Sequence, residues 1–209
     1  DLQMYGEELL QNKRGGIVAI EPSTGEILAM VSMPSYNPNL LTIGRGRGDA
    51  YATLARDSLK PLFNRAIGAQ YPPGSIFKPV MALVALQEGV TVPNRPISCR
   101  GGYIYKTLRI GCHGHPTAMN VSQAIQHSCN AYFCQIFRDV VDKNGFSRGS
   151  EGLDIWTDHL NHFGLGKKLG SDVPNELAGN VPTSAYYDKI YRKGAWTSTY
   201  IISLGIGQA

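Results

Sequence analysis

Ser75 and Lys78 lie three residues apart in the stretch Tyr71-Pro-Pro-Gly-Ser-Ile-Phe-Lys-Pro79. A serine hydroxyl is a weak nucleophile until a neighbouring base takes its proton, and a lysine three residues on along a helix shares its face. The pair therefore reads as an activated nucleophile and its base. A serine at a helix start also faces the positive end of the helix dipole, which favours an alkoxide. A second polar cluster, His127-Ser128-Cys129-Asn130, falls between two helix-forming stretches. A hydroxyl and a carboxamide there could relay a proton and orient a substrate amide. Ser and Asn are also favoured helix caps, and taken alone the cap is the better reading.

The flanking residues say which elements must position these groups. Pro72, Pro73 and Gly74 cannot propagate a helix, the run Val80 to Leu86 can, and Gly89 ends it. Pro79 is tolerated because the bond it forfeits would run back to the Ser75 carbonyl, at the helix boundary. Upstream, residues 3–12 suggest a short polar helix, and residues 15–20 and 27–32 read as strands joined by a turn at Pro22-Ser-Thr-Gly25. Residues 33–50 are rich in Pro, Gly and Asn and read as loop; residues 62–68 lead into the helix of Lys78. Residues 91–118 read as a long irregular stretch. Asn120 can cap a helix over 121–126, and residues 131–141 form another, with Phe133, Phe137, Val140 and Val141 at helical spacing. Leu153, Ile155, Trp156, Leu160 and Phe163 suggest a further helix ended by Gly164, and the remainder reads as loop up to the apolar run at 200–204.

Composition narrows the class. The 209 residues are 43% hydrophobic and 17% charged, as in a globular domain. The net charge of +4 is spread out, and the compact basic run Arg45-Gly-Arg47 lies in a Gly-rich loop, which argues against a nucleic-acid site. No signal peptide or apolar run of transmembrane length is present. Both ends read as cut, so the chain is expected to be a piece of a larger protein.

Taken in their frames, Ser75-Ile-Phe-Lys78 and Ser128-Cys-Asn130 resemble the first two active-site motifs of penicillin-binding transpeptidases. The likeness is to the elongation-type class B proteins, of the penicillin-binding protein 2 kind. It runs through nearly the whole chain, including Asn12-Lys-Arg-Gly15, Ile20-Glu-Pro-Ser-Thr-Gly-Glu-Ile-Leu28, Asn64-Arg-Ala-Ile67, Phe163-Gly-Leu-Gly166 and Gly205-Ile-Gly-Gln208. The resemblance implies an α+β fold: an incomplete penicillin-binding, serine β-lactamase-like domain, with a helical subdomain and the first strands of an antiparallel sheet. It implies a linker from a preceding pedestal region over 1–14 and the N-terminal portion of the transpeptidase domain over 15–209.

In function, it makes Ser75 the acyl-enzyme nucleophile, Lys78 its base, Ser128 a proton relay and Asn130 a holder of the substrate amide. The backbone N–H of Ser75 and a second N–H from a later strand would form the oxyanion hole. The implied reaction is cross-linking of peptidoglycan stem peptides during cell elongation, with β-lactams acylating the same serine. The implied partner is a glycan-polymerising membrane synthase. The implied setting is the bacterial inner membrane with the catalytic domain on the periplasmic face, held by an N-terminal anchor outside this sequence. The family's third motif, Lys-Thr-Gly or Lys-Ser-Gly, does not occur; Lys106-Thr107-Leu108 lacks the glycine and precedes the second motif. The isolated chain is therefore expected to be inactive. Other readings are a D,D-carboxypeptidase, a serine β-lactamase, or a non-catalytic penicillin-sensing or scaffold domain.

The four cysteines, Cys99, Cys112, Cys129 and Cys134, suggest two disulfides in an exported protein. Cys112-His-Gly-His115 shifts the weighting, since Cys112 and His115 have zinc-knuckle spacing, and Cys99 and Cys129 would complete a tetrahedral structural zinc site. Similar elongation-type proteins often have cysteines at the positions of Cys99, Cys112 and Cys129, with a histidine before a glycine between them. His115 is favoured over His113 by its distance from the second motif. Zinc ranks first, disulfides second and free thiols third. Cys134 then reads as a buried helix cysteine, His127, His159 and His162 as surface or capping residues, and Trp156 as core. No catalytic cofactor is expected.

Overall fold

The computed structural model describes residues 1–208, which form two compact units. The first comprises residues 1–70 and 170–177, the second residues 71–169 and 178–208.

In the first unit, helix α1 (Leu2–Leu9) precedes an antiparallel hairpin of β1 (Gly15–Ile20) and β2 (Ile27–Met33). The turn is the one read from Pro22 to Gly25, with Gly25 at φ +79°. Alternation sends Ala29 and Val31 inward and leaves Val18, Ile20 and Leu28 outward and exposed. Helix α1 lies on this hairpin because position 6 is glycine: a Cβ there would sit 2.8 Å from Val31 Cγ2. Gln3 adds two bonds to the Met30 backbone, accepting at 2.9 Å and donating at 3.1 Å. Helix α2 (Arg47–Arg56) overlaps the stretch read as loop and corrects that reading. It has no buried residue, so there was no apolar period to detect; left-handed Gly46 starts it, and Asp49 sits favourably in its first turn. Helix α3 (Arg65–Gly68) is capped by Asn64.

The second unit carries the larger core. A 3-10 turn over Gly74–Phe77 runs into α4 (Lys78–Gln87), and Gly89 closes it at φ +67°. The stretch read as irregular contains a second hairpin, β3 (Gly102–Tyr105) with β4 (Leu108–Gly111), which corrects that reading. Its strands have four residues each and its turn places the non-glycine Lys106 at φ +52°, so neither alternation nor turn chemistry marked it. Then come α5 (Val121–Gln126), capped by Asn120 as expected, α6 (Asn130–Val141) and α7 (Gly149–His162). Helix α8 (Ser184–Tyr191) falls where loop was read; it is a short helix capped by Thr183, with Tyr187 alone buried. The apolar run near 200 forms two 3-10 turns, Ser198–Tyr200 and Ile202–Ile206.

Helix α6 is the hub. Tyr132, Phe133, Ile136, Phe137, Val140 and Val141 are buried against Met81, Val84 and Ala85 of α4, Leu153, Trp156 and Leu160 of α7, and Ile201 to Ile206. Trp156 makes edge contacts with Phe77 and Phe137. Close approach depends on two glycines: a Cβ at Gly152 would run into the Val141 carbonyl, and one at Gly205 would sit 2.5 Å from Phe137 Cβ. Helices with two small antiparallel sheets make the α+β class that was expected.

Candidate active site

The second unit brings Ser75, Lys78, Ser128 and Asn130 together. Ser75 and Lys78 meet across the 3-10 turn and not within one α-helix; the i to i+3 spacing eclipses side chains in that geometry. Lys78 Nζ is 3.0 Å from Ser75 Oγ. Ser75 is exposed, whereas Lys78 is 1% exposed. The lysine reaches across to the start of α6, with Nζ 2.8 Å from Ser128 Oγ, 2.7 Å from the Ser128 carbonyl and 2.7 Å from Asn130 Oδ1.

Burial lowers the Lys78 pKa below the usual lysine value, against an opposing pull from the nearby Cys112, Cys129 and Cys134. No carboxylate is among its hydrogen-bond partners. A buried amine with a free lone pair beside a hydroxyl can take its proton, which is the chemistry a serine nucleophile needs.

Ser128 and Asn130 are not the helix cap. Cys129 is, its Sγ accepting from the Tyr132 N–H, and Asn130 is the first residue of α6. Ser128 adopts φ +49°, a left-handed conformation that costs a non-glycine residue roughly 1–2 kcal/mol. That turn aims both its carbonyl and its hydroxyl at Lys78.

Two further contacts had no signature in the sequence. The Asn130 side chain donates through Nδ2 to the Gly111 carbonyl at 2.9 Å, and its backbone N–H donates to Cys112 Sγ at 3.3 Å. On the other side, the Gly74 N–H donates to the Gly207 carbonyl at 2.9 Å. Gly207 is at φ +69°, and a Cβ there would run into Gly74, so the Gly205-Ile-Gly-Gln segment touches the turn that carries Ser75.

Behind Asn130, Cys99, Cys112, His115 and Cys129 bring one ligand atom each within 4.8 Å of one another. His115 and not His113 belongs to this group. His115 Nδ1 is 2.6 Å from the Pro116 carbonyl, which holds the proton on that nitrogen and leaves Nε2, 3.1 Å from Cys112 Sγ, as the ligand atom. Burial raises the Cys112 thiol, but its contacts, first among them the hydrogen bond from the Asn130 N–H, outweigh that and leave its pKa lowered. Burial pushes Cys129 up to about 12. All four cysteines are unpaired, and Cys134 is fully buried in α6. His159 pairs with Glu88 at 2.6 Å and His162 is exposed, so both lie outside the site; His127 stacks on His115.

Comparison with known proteins gives a consistent result. The model of the penicillin-binding protein transpeptidase domain matches residues 15–208. The peptidoglycan D,D-transpeptidase MrdA of Acinetobacter baumannii is 35% identical over 214 residues, covering 99% of this chain and 30% of that protein. The crystal structure of Pseudomonas aeruginosa PBP2 in complex with WCK 5153 matches with a TM-score of 0.82 at 34% identity, over 100% of this chain and 45% of that one. Penicillin-binding protein A from M. tuberculosis, as its penicillin G acyl-enzyme complex, matches at 28% identity with a TM-score of 0.68, over 100% of this chain and 46% of that one. The chain thus spans less than half the length of the proteins it matches.

Proposed function

Since this chain belongs to the penicillin-binding protein transpeptidase domain family, we propose that it carries the nucleophile and base of a peptidoglycan D,D-transpeptidase. The observation that carries the reading is Lys78 Nζ, buried and 3.0 Å from the exposed hydroxyl of Ser75. In the proposed reaction Ser75 Oγ attacks the carbonyl of the D-Ala–D-Ala bond of a stem peptide while Lys78 takes the hydroxyl proton. Ser128, in contact with Lys78, passes a proton to the departing D-Ala nitrogen. An amine of a neighbouring stem peptide then attacks the ester, forming the cross-link and freeing Ser75. A β-lactam opens on Ser75 by the first of these steps. The penicillin G acyl-enzyme of the M. tuberculosis relative supports the acylation step.

The same reading assigns residues 1–14 to a linker and residues 15–209 to the transpeptidase domain, supported by the start of the family match at residue 15. It places the whole protein at the bacterial inner membrane, acting on the periplasmic side beside a glycan-polymerising synthase. In the described residues no helix is long and apolar enough to cross a membrane, so an anchor would belong to other parts of the gene product.

A structural zinc ion fits the donor set of Cys99, Cys112, His115 and Cys129: three thiols, one imidazole with its second nitrogen engaged and, among the described residues, no fifth ligand. Bound there, zinc would supply cross-linking of the 99–115 segment to the start of α6, and no catalytic chemistry. Its binding would displace the proton that burial holds on Cys129.

The test is intact mass measurement of the gene product, as the cell makes it, after exposure to penicillin G. A single stable adduct, absent in Ser75→Ala, is expected. No adduct in the unaltered protein, or an adduct that survives Ser75→Ala, would overturn the reading. Release of D-alanine from a stem pentapeptide, with and without an amine acceptor, separates transfer from hydrolysis. Elemental analysis of protein purified without added zinc decides the metal.

A further inference from the structure

Ser75 is exposed, yet the turn that carries it is fixed on both sides. On one side Phe77 is buried and makes an edge contact with Trp156, ring centres 5.9 Å apart. On the other, the Gly74 N–H donates to the Gly207 carbonyl at 2.9 Å. Gly74 opens the 3-10 turn, so its N–H has no partner within that turn and needs one from elsewhere. Gly207 supplies it from the segment that follows α8.

The accepting carbonyl is itself held. The Gly207 N–H donates to the Leu204 carbonyl and the Gln208 N–H to the Ser203 carbonyl, each at 3.0 Å, which closes the 3-10 turn over Ile202–Ile206. That turn is seated on α6, where a Cβ at Gly205 would lie 2.5 Å from Phe137 Cβ and 2.8 Å from the Phe133 carbonyl oxygen. Support therefore runs from the core around α6, through residues 202–207, to the residue just before Ser75.

Position 207 has no room for a side chain. Its φ is +69°, and a Cβ would run into the Gly74 carbonyl oxygen, 2.9 Å from Gly74 N and 2.8 Å from Phe77 Cβ. None of these atoms can swing aside as the tip of a long side chain could. A side chain at 207 must displace the turn or break its bond. Ser75 Oγ stands 3.0 Å from Lys78 Nζ, and a shift of about 1 Å takes the pair out of hydrogen-bond reach.

We propose that Gly207 is a positioning residue for the nucleophile: its carbonyl, and the space left by its missing side chain, hold the Gly74–Phe77 turn where the Ser75 hydroxyl meets Lys78. This rests on the reading of Ser75 as the nucleophile.

The test is stopped-flow acylation of the gene product by penicillin G. It reads the rate constant at saturation, the concentration for half saturation and the adduct formed per molecule. Gly207→Ala should lower the saturating rate constant roughly tenfold to a hundredfold, as for a reacting group misplaced by about 1 Å. The half-saturating concentration and the adduct per molecule should stay unchanged. A merely structural role would lower the adduct per molecule, because part of the protein unfolds, and leave the rate constant. Gly194→Ala is the control. Its φ is +74° and a Cβ there meets nothing within 4 Å, so it carries the backbone cost of a left-handed alanine without the collision, and it should react at the unaltered rate. An unaltered rate constant in Gly207→Ala overturns the proposal, and so does equal slowing in both variants. If Gly207→Ala does not fold, hydrogen exchange in the unaltered protein decides: the Gly74 amide should be protected, and exchange at the rate of a free amide overturns the proposal. Absence of any adduct in the unaltered gene product overturns the nucleophile reading instead, and the exchange measurement still decides the Gly74–Gly207 contact.

Discussion

The β1–β2 hairpin of the first unit and the β3–β4 hairpin of the second share an antiparallel plan but are held by different forces. The first has strands of six and seven residues and buries one alternating face, with α1 seated on it through Gly6. The second has four-residue strands and buries Tyr103. Tyr105, Leu108 and Ile110 also pack against the core, and directional contacts add to them. The Arg138 guanidinium of α6 lies 3.7 Å from the centre of the Tyr105 ring and pairs with Asp142 at 3.0 Å, and Cys112 at the strand's end enters the thiol–imidazole cluster. A hairpin held by area resists point changes on its outer face. A hairpin held by a few directional contacts can place one carbonyl accurately, and it can be released by removing one contact.

The largest expected effect is on the polar hairpin. Stripping the proposed zinc with a chelator, or Cys129→Ala, should lower the thermal midpoint of the second unit by roughly 10 °C, equivalent to about 3–5 kcal/mol in a chain of this size. Hydrogen exchange should rise over residues 102–111 and stay unchanged over residues 15–33. Equal loosening of both hairpins would dissolve the distinction.

A second expectation concerns Lys78, which meets the polar hairpin through Asn130. Burial lowers the Lys78 pKa, so the native state binds fewer protons than the unfolded chain just below 10.5. Stability from this group therefore rises with pH through that window, and the free amine is present at lower pH than for an ordinary lysine. Penicillin acylation should increase about tenfold per pH unit on the acid side and level off below pH 10.5. A stopped-flow rate profile with its midpoint at or above that value would contradict the assignment.

Arg138→Leu should cost about 1–2 kcal/mol, from the lost ring contact and ion pair, read as a shift in the urea midpoint with faster exchange over 102–111. Leu28→Lys, on the open face of β2, should change stability by less than about 0.5 kcal/mol. A large loss there would mean that this face is covered in solution.

These differences also explain which features were legible. The β1–β2 pair followed from two short apolar runs and the turn at Gly25, α6 from the spacing of Phe133, Phe137, Val140 and Val141, and α5 from its Asn120 cap, because each signal is local to a few residues. Helix α2, which buries nothing, and α8, which buries only Tyr187, left no apolar period to read. The β3–β4 pair is too short to alternate visibly. Within the site, Ser75 and Lys78 were legible because three residues of one turn bring them together. Their approach to Ser128 and Asn130, some fifty residues on, was suggested by family likeness and not by spacing.

Residue types and short-range spacing were enough to propose a nucleophile and a base and, with family likeness, a donor set for the proposed metal. The grip of Gly111 on Asn130 and the seat of Gly207 against Gly74 arose only in the packed structure, while the left-handed turn at Ser128 closes the end of α5 locally, its N–H donating to the Ile125 carbonyl at 2.9 Å. The Gly207–Gly74 contact joins backbone groups that every residue carries, and the group that grips the Asn130 side chain is a backbone carbonyl, so nothing in the amino-acid types marks either partner carbonyl; their placement is set by the burial of the core around α6.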